Sequence, residues 1–112
     1  MAIIQETESE ELVRKPAIIS LECEEMLNEA LAYIAQNSLR QAEIMNEQFN
    51  NTLNSIENMP GIGTIYKGGI RKIKIGKFRY NMYYREEKDY ISVRGIWHTS
   101  RGTEFTEPVQ EV

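Results

Sequence analysis

The sequence predicts an α+β domain in the order β-α-α-β-β-β, with an antiparallel helical hairpin on one face of a mainly antiparallel three- to four-stranded sheet. Three observations predict it. A short apolar run opens the ordered part of the chain, two stretches of helical period follow, and from Gly63 onward the period falls to two. At 112 residues there is room for one hydrophobic core. Apolar residues at 41% and charged residues at 27% are ordinary globular values, which excludes collagen-like, mucin-like and wholly disordered chains.

Residues 1–15 are acidic and without aromatics, and read as a flexible leader with a transient helical turn around Glu8–Val13. Pro16 precedes Ala17-Ile18-Ile19-Ser20-Leu21, a run of strand length. Met26, Leu27, Ala30, Leu31, Ile34 and Ala35 then recur at helical spacing, with Glu24, Glu25, Asn28 and Glu29 on the wet side. Asn37-Ser38 breaks that helix, and Ser38 with Gln41 forms the capping box of the next. Ala42, Met45, Phe49, Leu53, Ile56 and Met59 make the second stripe, which Pro60-Gly61 ends. So short a break implies an antiparallel hairpin.

Thr64-Ile65-Tyr66 reads as a short strand and Lys67-Gly68-Gly69 as a turn. Ile73 and Ile75 alternate with Lys72 and Lys74, and Gly76-Lys77 makes a tight turn. Phe78, Tyr80, Met82 and Tyr84 alternate with Arg79, Asn81, Tyr83 and Arg85. The last strand, Tyr90–His98, alternates through Ile91, Val93 and Trp97. The domain is expected to span residues 16–103, followed by an acidic tail, 104–112.

Charge divides the chain. Residues 1–59 hold three basic side chains against eleven acidic ones; residues 60–103 hold ten against three; the tail adds three acids, closing on the net charge of −4. That asymmetry either attracts a polyanionic or acidic partner or is neutralised within the fold. Cys23 and His98 are the only cysteine and histidine, so an internal disulfide and a Cys/His zinc site lack the residues they need. No cofactor and no metal are expected. There is no phosphate loop or nucleophile elbow, and no apolar run approaches a membrane span. A reducing, cytoplasmic location is expected.

What remains is a basic sheet face. Lys72, Lys74, Arg79, Arg85, Arg94 and Arg101 lie on successive strands or their ends, interleaved with Tyr66, Tyr83 and Tyr90. Cations among rings suit single-stranded nucleic acid, and such groups can also promote attack of a 2′-hydroxyl without metal. The same pattern is found on solvated antiparallel sheets. His98 reads as a hydrogen-bonded structural imidazole or as a site residue, and Cys23 as a small buried residue.

The chain resembles the RelE/ParE superfamily of bacterial type II toxin–antitoxin toxins over about residues 17–103. The likeness rests on Ala17–Leu21, Ala30-Leu31-Ala32-Tyr33-Ile34, Leu53-x-x-Ile56-x-x-Met59-Pro60-x-x-Gly63, Ile70-Arg71-Lys72-Ile73, Phe78–Tyr84 and Ile91-Ser92-Val93-Arg94-Gly95-Ile96-Trp97-His98-x-x-Arg101, in that order. The resemblance implies a growth-inhibiting toxin held inactive by a cognate antitoxin in a hetero-oligomer. ParE-like members act on DNA gyrase without chemistry of their own, and the Leu–Pro–Gly segment and the terminal His-x-x-Arg favour that side. RelE-like members are metal-independent mRNA endonucleases working on the ribosome. On that alternative Lys72, Lys74, Arg79, Tyr84, His98 and Arg101 are the catalytic candidates. Target binding is assigned to Arg71, Lys72, Lys74, Arg79, Arg85, Arg94 and Arg101. A third alternative is a degenerate member that only binds protein. The pI of about 5.1 and the acidic leader depart from the basic character usual in nuclease members.

Overall fold

The computed structural model describes residues 14–100 and Phe105. Most of the expected leader, most of the acidic tail and Arg101 lie outside the described residues. In order, the chain forms β1 (Ala17–Ile19), α1 (Leu21–Ala35), α2 (Leu39–Asn58), a 3-10 turn (Pro60–Ile62), β2 (Thr64–Lys67), β3 (Ile70–Lys74), β4 (Tyr80–Glu86) and β5 (Ile91–His98).

The first strand is shorter than its apolar run because Ser20 leaves it to cap α1. Its Oγ accepts the Cys23 N–H at 3.0 Å, and Glu22 and Glu24 sit in the positive first turn. Cys23, Leu27 and Ala30 are the buried positions of α1. Ser38 repeats the capping, accepting from Gln41 N at 3.1 Å. Along α2 the buried residues are Ala42, Met45, Phe49, Thr52 and Ile56. Thr52 shares the inner side with Leu53 because its hydroxyl donates to the Gln48 carbonyl at 2.8 Å, leaving its methyl to pack. Met59, expected on the stripe, is 60% exposed, since the helix has ended at Asn58.

The sheet has five strands in the order β1-β5-β4-β3-β2. One more strand takes part than expected because Thr64–Lys67 pairs with β3 through a turn whose glycines, Gly68 and Gly69, both have positive φ. Such a turn matches the twist of adjoining antiparallel strands. Neighbours β2 to β5 are antiparallel. Only β1 is parallel, Ala17 lying opposite Ile91 and Ile19 opposite Val93. It is clasped in place by Ile91 N–H to Pro16 O at 2.8 Å and by Ala17 N–H to Glu57 Oε2 at 2.7 Å.

The main core lies between helices and sheet: Met45, Phe49, Ile56, Ile75, Met82, Tyr84, Ile91 and Val93 are almost wholly buried there. A bulge alters the last strand. Tyr84 pairs with Val93 but Tyr83 with Gly95, so Arg94 is the extra residue. The extra residue reverses the alternation: Ile96 follows Val93 into the main core, and Trp97 joins a second cluster with Ile70, Tyr83 and Phe105. Sequence alternation had placed Trp97 with Ile91 and Val93.

Candidate functional site: the cationic face of the sheet

The register builds the face opposite the helical hairpin row by row. Lys74, Asn81 and Trp97 form one row, Thr64, Lys72, Tyr83 and Gly95 the next, and Lys67, Ile70, Arg85 and Ser92 the third. Lys67, Lys72, Lys74 and Arg85 are therefore brought together on one surface, with Arg94 on the bulge beside them. The helices hold the acids: α1 carries Glu22, Glu24, Glu25 and Glu29 and no basic residue. The acidic helices and the cationic sheet face thus lie on opposite sides of the molecule. Lys15 Nζ pairs with Glu86 Oε2 at 2.8 Å across the two halves of the sequence, and Arg14 Nη2 with Glu57 Oε1 at 3.8 Å within the first.

The rings on this face form an island among the cations. Tyr83 is 5% exposed and meets Tyr66 edge-on at 5.0 Å. Lys72 Nζ and Lys67 Nζ lie 5.5 and 5.4 Å from the centre of the Tyr66 ring. Phe105, 2% exposed, stacks on Tyr83 at 4.2 Å and 10°. Its carbonyl accepts the Tyr66 hydroxyl at 3.0 Å. Expected as open stacking platforms, Tyr66 and Tyr83 instead support Phe105.

Phe105 was not a sequence candidate, although a signal for it exists. Gly95 interrupts an otherwise bulky strand, and a Cβ there would lie 2.7 Å from the Phe105 ring and 2.9 Å from Met26 Sδ. A glycine inside a strand marks the close approach of another group.

The other candidates lie elsewhere. Arg71 points away from this face, and its Nη1 donates to Gly63 O at 2.7 Å. Tyr84 is fully buried; its hydroxyl donates to Pro60 O at 2.7 Å and accepts from Gly63 N–H at 2.9 Å. Burial pushes its pKa up, against the opposing pull of the Gly63 N–H and Arg71. Tyr84 thus ties the Pro60–Gly63 turn to the sheet. Arg79 and His98 meet at the far end, around Ser100: Arg79 Nη1 is 3.4 Å from its Oγ, and its N–H donates to His98 Nδ1 at 3.0 Å. The imidazole stands edge-on to Tyr80 at 4.9 Å. Cys23 is wholly buried, its thiol pushed up to about 12 by burial.

With this geometry in place, comparison with known proteins is decisive for the family. The family described as "ParE toxin of type II toxin-antitoxin system, parDE" matches residues 17–102. The chain belongs to the ParE toxin family. Among solved structures, this ParE-family chain is similar to one described as "Chromosomal ParDE TA system from P. aeruginosa", with a TM-score of 0.67 and 10% identity. The match covers 78% of this chain and 98% of the other. No curated protein gives a significant match. Among the described residues of this ParE-family chain, no helix is long and apolar enough to cross a membrane.

Proposed function

We propose that the chain is the growth-inhibiting toxin of a type II pair, that it binds DNA gyrase in the cytoplasm, and that a cognate antitoxin neutralises it. The observation that carries the reading is the family match over residues 17–102. The cationic face adds a physical means of engaging a target that holds DNA, because Lys67, Lys72, Lys74 and Arg85 share one surface. The antitoxin supplies an acidic segment to the same face, steered by charge.

The ribonuclease alternative has less support. Tyr84 is buried with both hydrogen-bonding roles of its hydroxyl in use, and His98 Nδ1 already accepts the Ser100 N–H. Neither geometry offers a free base beside a phosphate.

Tightly controlled expression in a bacterium lacking the antitoxin tests the reading. Loss of colonies with a DNA-damage response and intact transcripts is expected, and purified chain should inhibit supercoiling by gyrase. Cleaved transcripts would replace the gyrase reading with ribonuclease action. Normal growth of cells filled with soluble chain would reduce it to a protein-binding module. Antitoxin affinity is expected to fall as salt rises from about 0.05 to 0.5 M; a flat response would remove electrostatic capture.

A further inference from the structure

Strand β1 stops at Ile19, opposite Val93, so beyond Val93 the outer edge of β5 is flanked by α1 instead of another strand. Between α1 and that edge lies a cavity of about 540 Å3, within the range of ligand sites. Its apolar lining comes from Met26, Ala30 and Ile96, and its rings from Tyr33, Tyr80, Trp97 and His98. Two of these rings are held in place, His98 by the Ser100 N–H and Tyr80 by the edge of His98. Tyr33 is 63% exposed, and beside it Glu29 is the only carboxylate among the described residues of the lining. Glu29 makes no hydrogen bond or ion pair with any described residue.

The chemistry of this lining selects its occupant. An anion would meet Glu29 and a helix carrying four glutamates and no cation. A purely apolar side chain would make no use of the carboxylate or of the exposed Tyr33 ring. An ammonium satisfies the carboxylate but has no plane to lay on a ring. A guanidinium does both: its fork pairs with a carboxylate, its plane stacks on aromatic faces, and its stem packs on apolar atoms. Arg79 Nη1, 3.4 Å from the Oγ of the lining residue Ser100, disfavours a cation beside Ser100 and so favours a guanidinium held at Glu29.

We propose that this cavity is a docking socket for an arginine side chain of the partner protein, held by Glu29 and stacked among the rings. The inference rests on the reading of the chain as one member of a toxin–antitoxin pair. It adds a second, oppositely charged contact: the partner brings acid to the sheet face and arginine to the helix side. Two contacts of opposite sign fix an orientation that one cannot, since the reversed pose sets like charges together.

The test uses the full 112-residue chain and the blocked tripeptide acetyl-Leu-Arg-Leu-amide, with citrulline replacing arginine as the uncharged control. Trp97 is the sole tryptophan, so its indole N–H resonance and its fluorescence report directly on the cavity. Saturable shifts at Trp97 are expected, with citrulline weakening binding about tenfold. Glu29→Gln should cost a similar factor, and Glu43→Gln on α2 should leave binding unchanged. Equal binding of the two peptides would overturn the proposal, as would shifts centred on Lys72, or no response at roughly 10 mM peptide. Because the readout needs no toxicity, a chain that arrests growth but binds both peptides alike loses only the socket. Arginine-selective binding by a chain that does not arrest growth keeps the socket and overturns the toxin reading.

Discussion

On one side of the sheet, Met82, Tyr84, Ile91 and Val93 lie beneath two helices; on the other, among the described residues, Tyr83 and Ile70 cluster with Phe105, with Met26, Tyr66 and Trp97 packed against them. Both sets are nearly inaccessible to water, but by different means. The helix side is sealed by elements whose apolar stripes run the length of α1 and α2. On the opposite side a smaller apolar cluster shares the surface with Lys67, Lys72, Lys74 and Arg85.

Four substitutions or conditions sharpen that contrast, the largest effect first. Phe49→Ala, in the sealed core, should cost about 3–5 kcal/mol in urea unfolding, because lost transfer energy is joined by a closed cavity. Phe105→Ala should cost less, about 1.5–3 kcal/mol, because Phe105 belongs to the smaller of the two clusters. Equal losses would show that the two sides are sealed alike. Tyr84→Phe should cost about 1–2 kcal/mol by leaving Pro60 O and Gly63 N–H without their partner. The fourth concerns alkali. The unfolded Cys23 thiol ionises near 9, whereas the buried one stays protonated to about 12, so stability declines as pH rises through that interval. In Cys23→Ala the decline should be shallower; an unchanged slope would assign it to other groups, among them Tyr84, whose raised pKa acts in the same direction.

The legibility of the sequence follows the same division. The helix stripes, the Ser38 cap and the alternation of β3 and β4 are local patterns, and each was readable because its period or cap lies within a few residues, whereas Ser20 was read into the strand it leaves. The bulge at Arg94 was hidden, since an extra residue is defined by the partner strand and not by its own neighbours. That one residue moved Trp97 to the other side of the sheet. Of the candidate cations, Lys72, Lys74 and Arg85 share the expected surface, while Arg71 turns inward to the Gly63 carbonyl. The RelE-like alternative made Tyr84 a catalytic candidate; the structure places its hydroxyl against the returning Pro60–Gly63 turn. Phe105 escaped notice because its contacts reach back to Tyr66, Tyr83 and Gly95 from a stretch with no period of its own.

The pairing of β1 with β5 bears on how the molecule is made. Ala17 meets Ile91 across most of the length of the described residues, and β5 is also the strand that joins β1 to the other three. Until β5 leaves the ribosome, β1 has no neighbour, β4 has an open edge, and the hairpin of helices covers half a sheet. At about 5–20 residues per second the N-terminal half waits for seconds in that state. Such distant pairing is also intrinsically slow to form. Incomplete translation products therefore lack the finished surface, and the described sheet is complete only once β5 has been made.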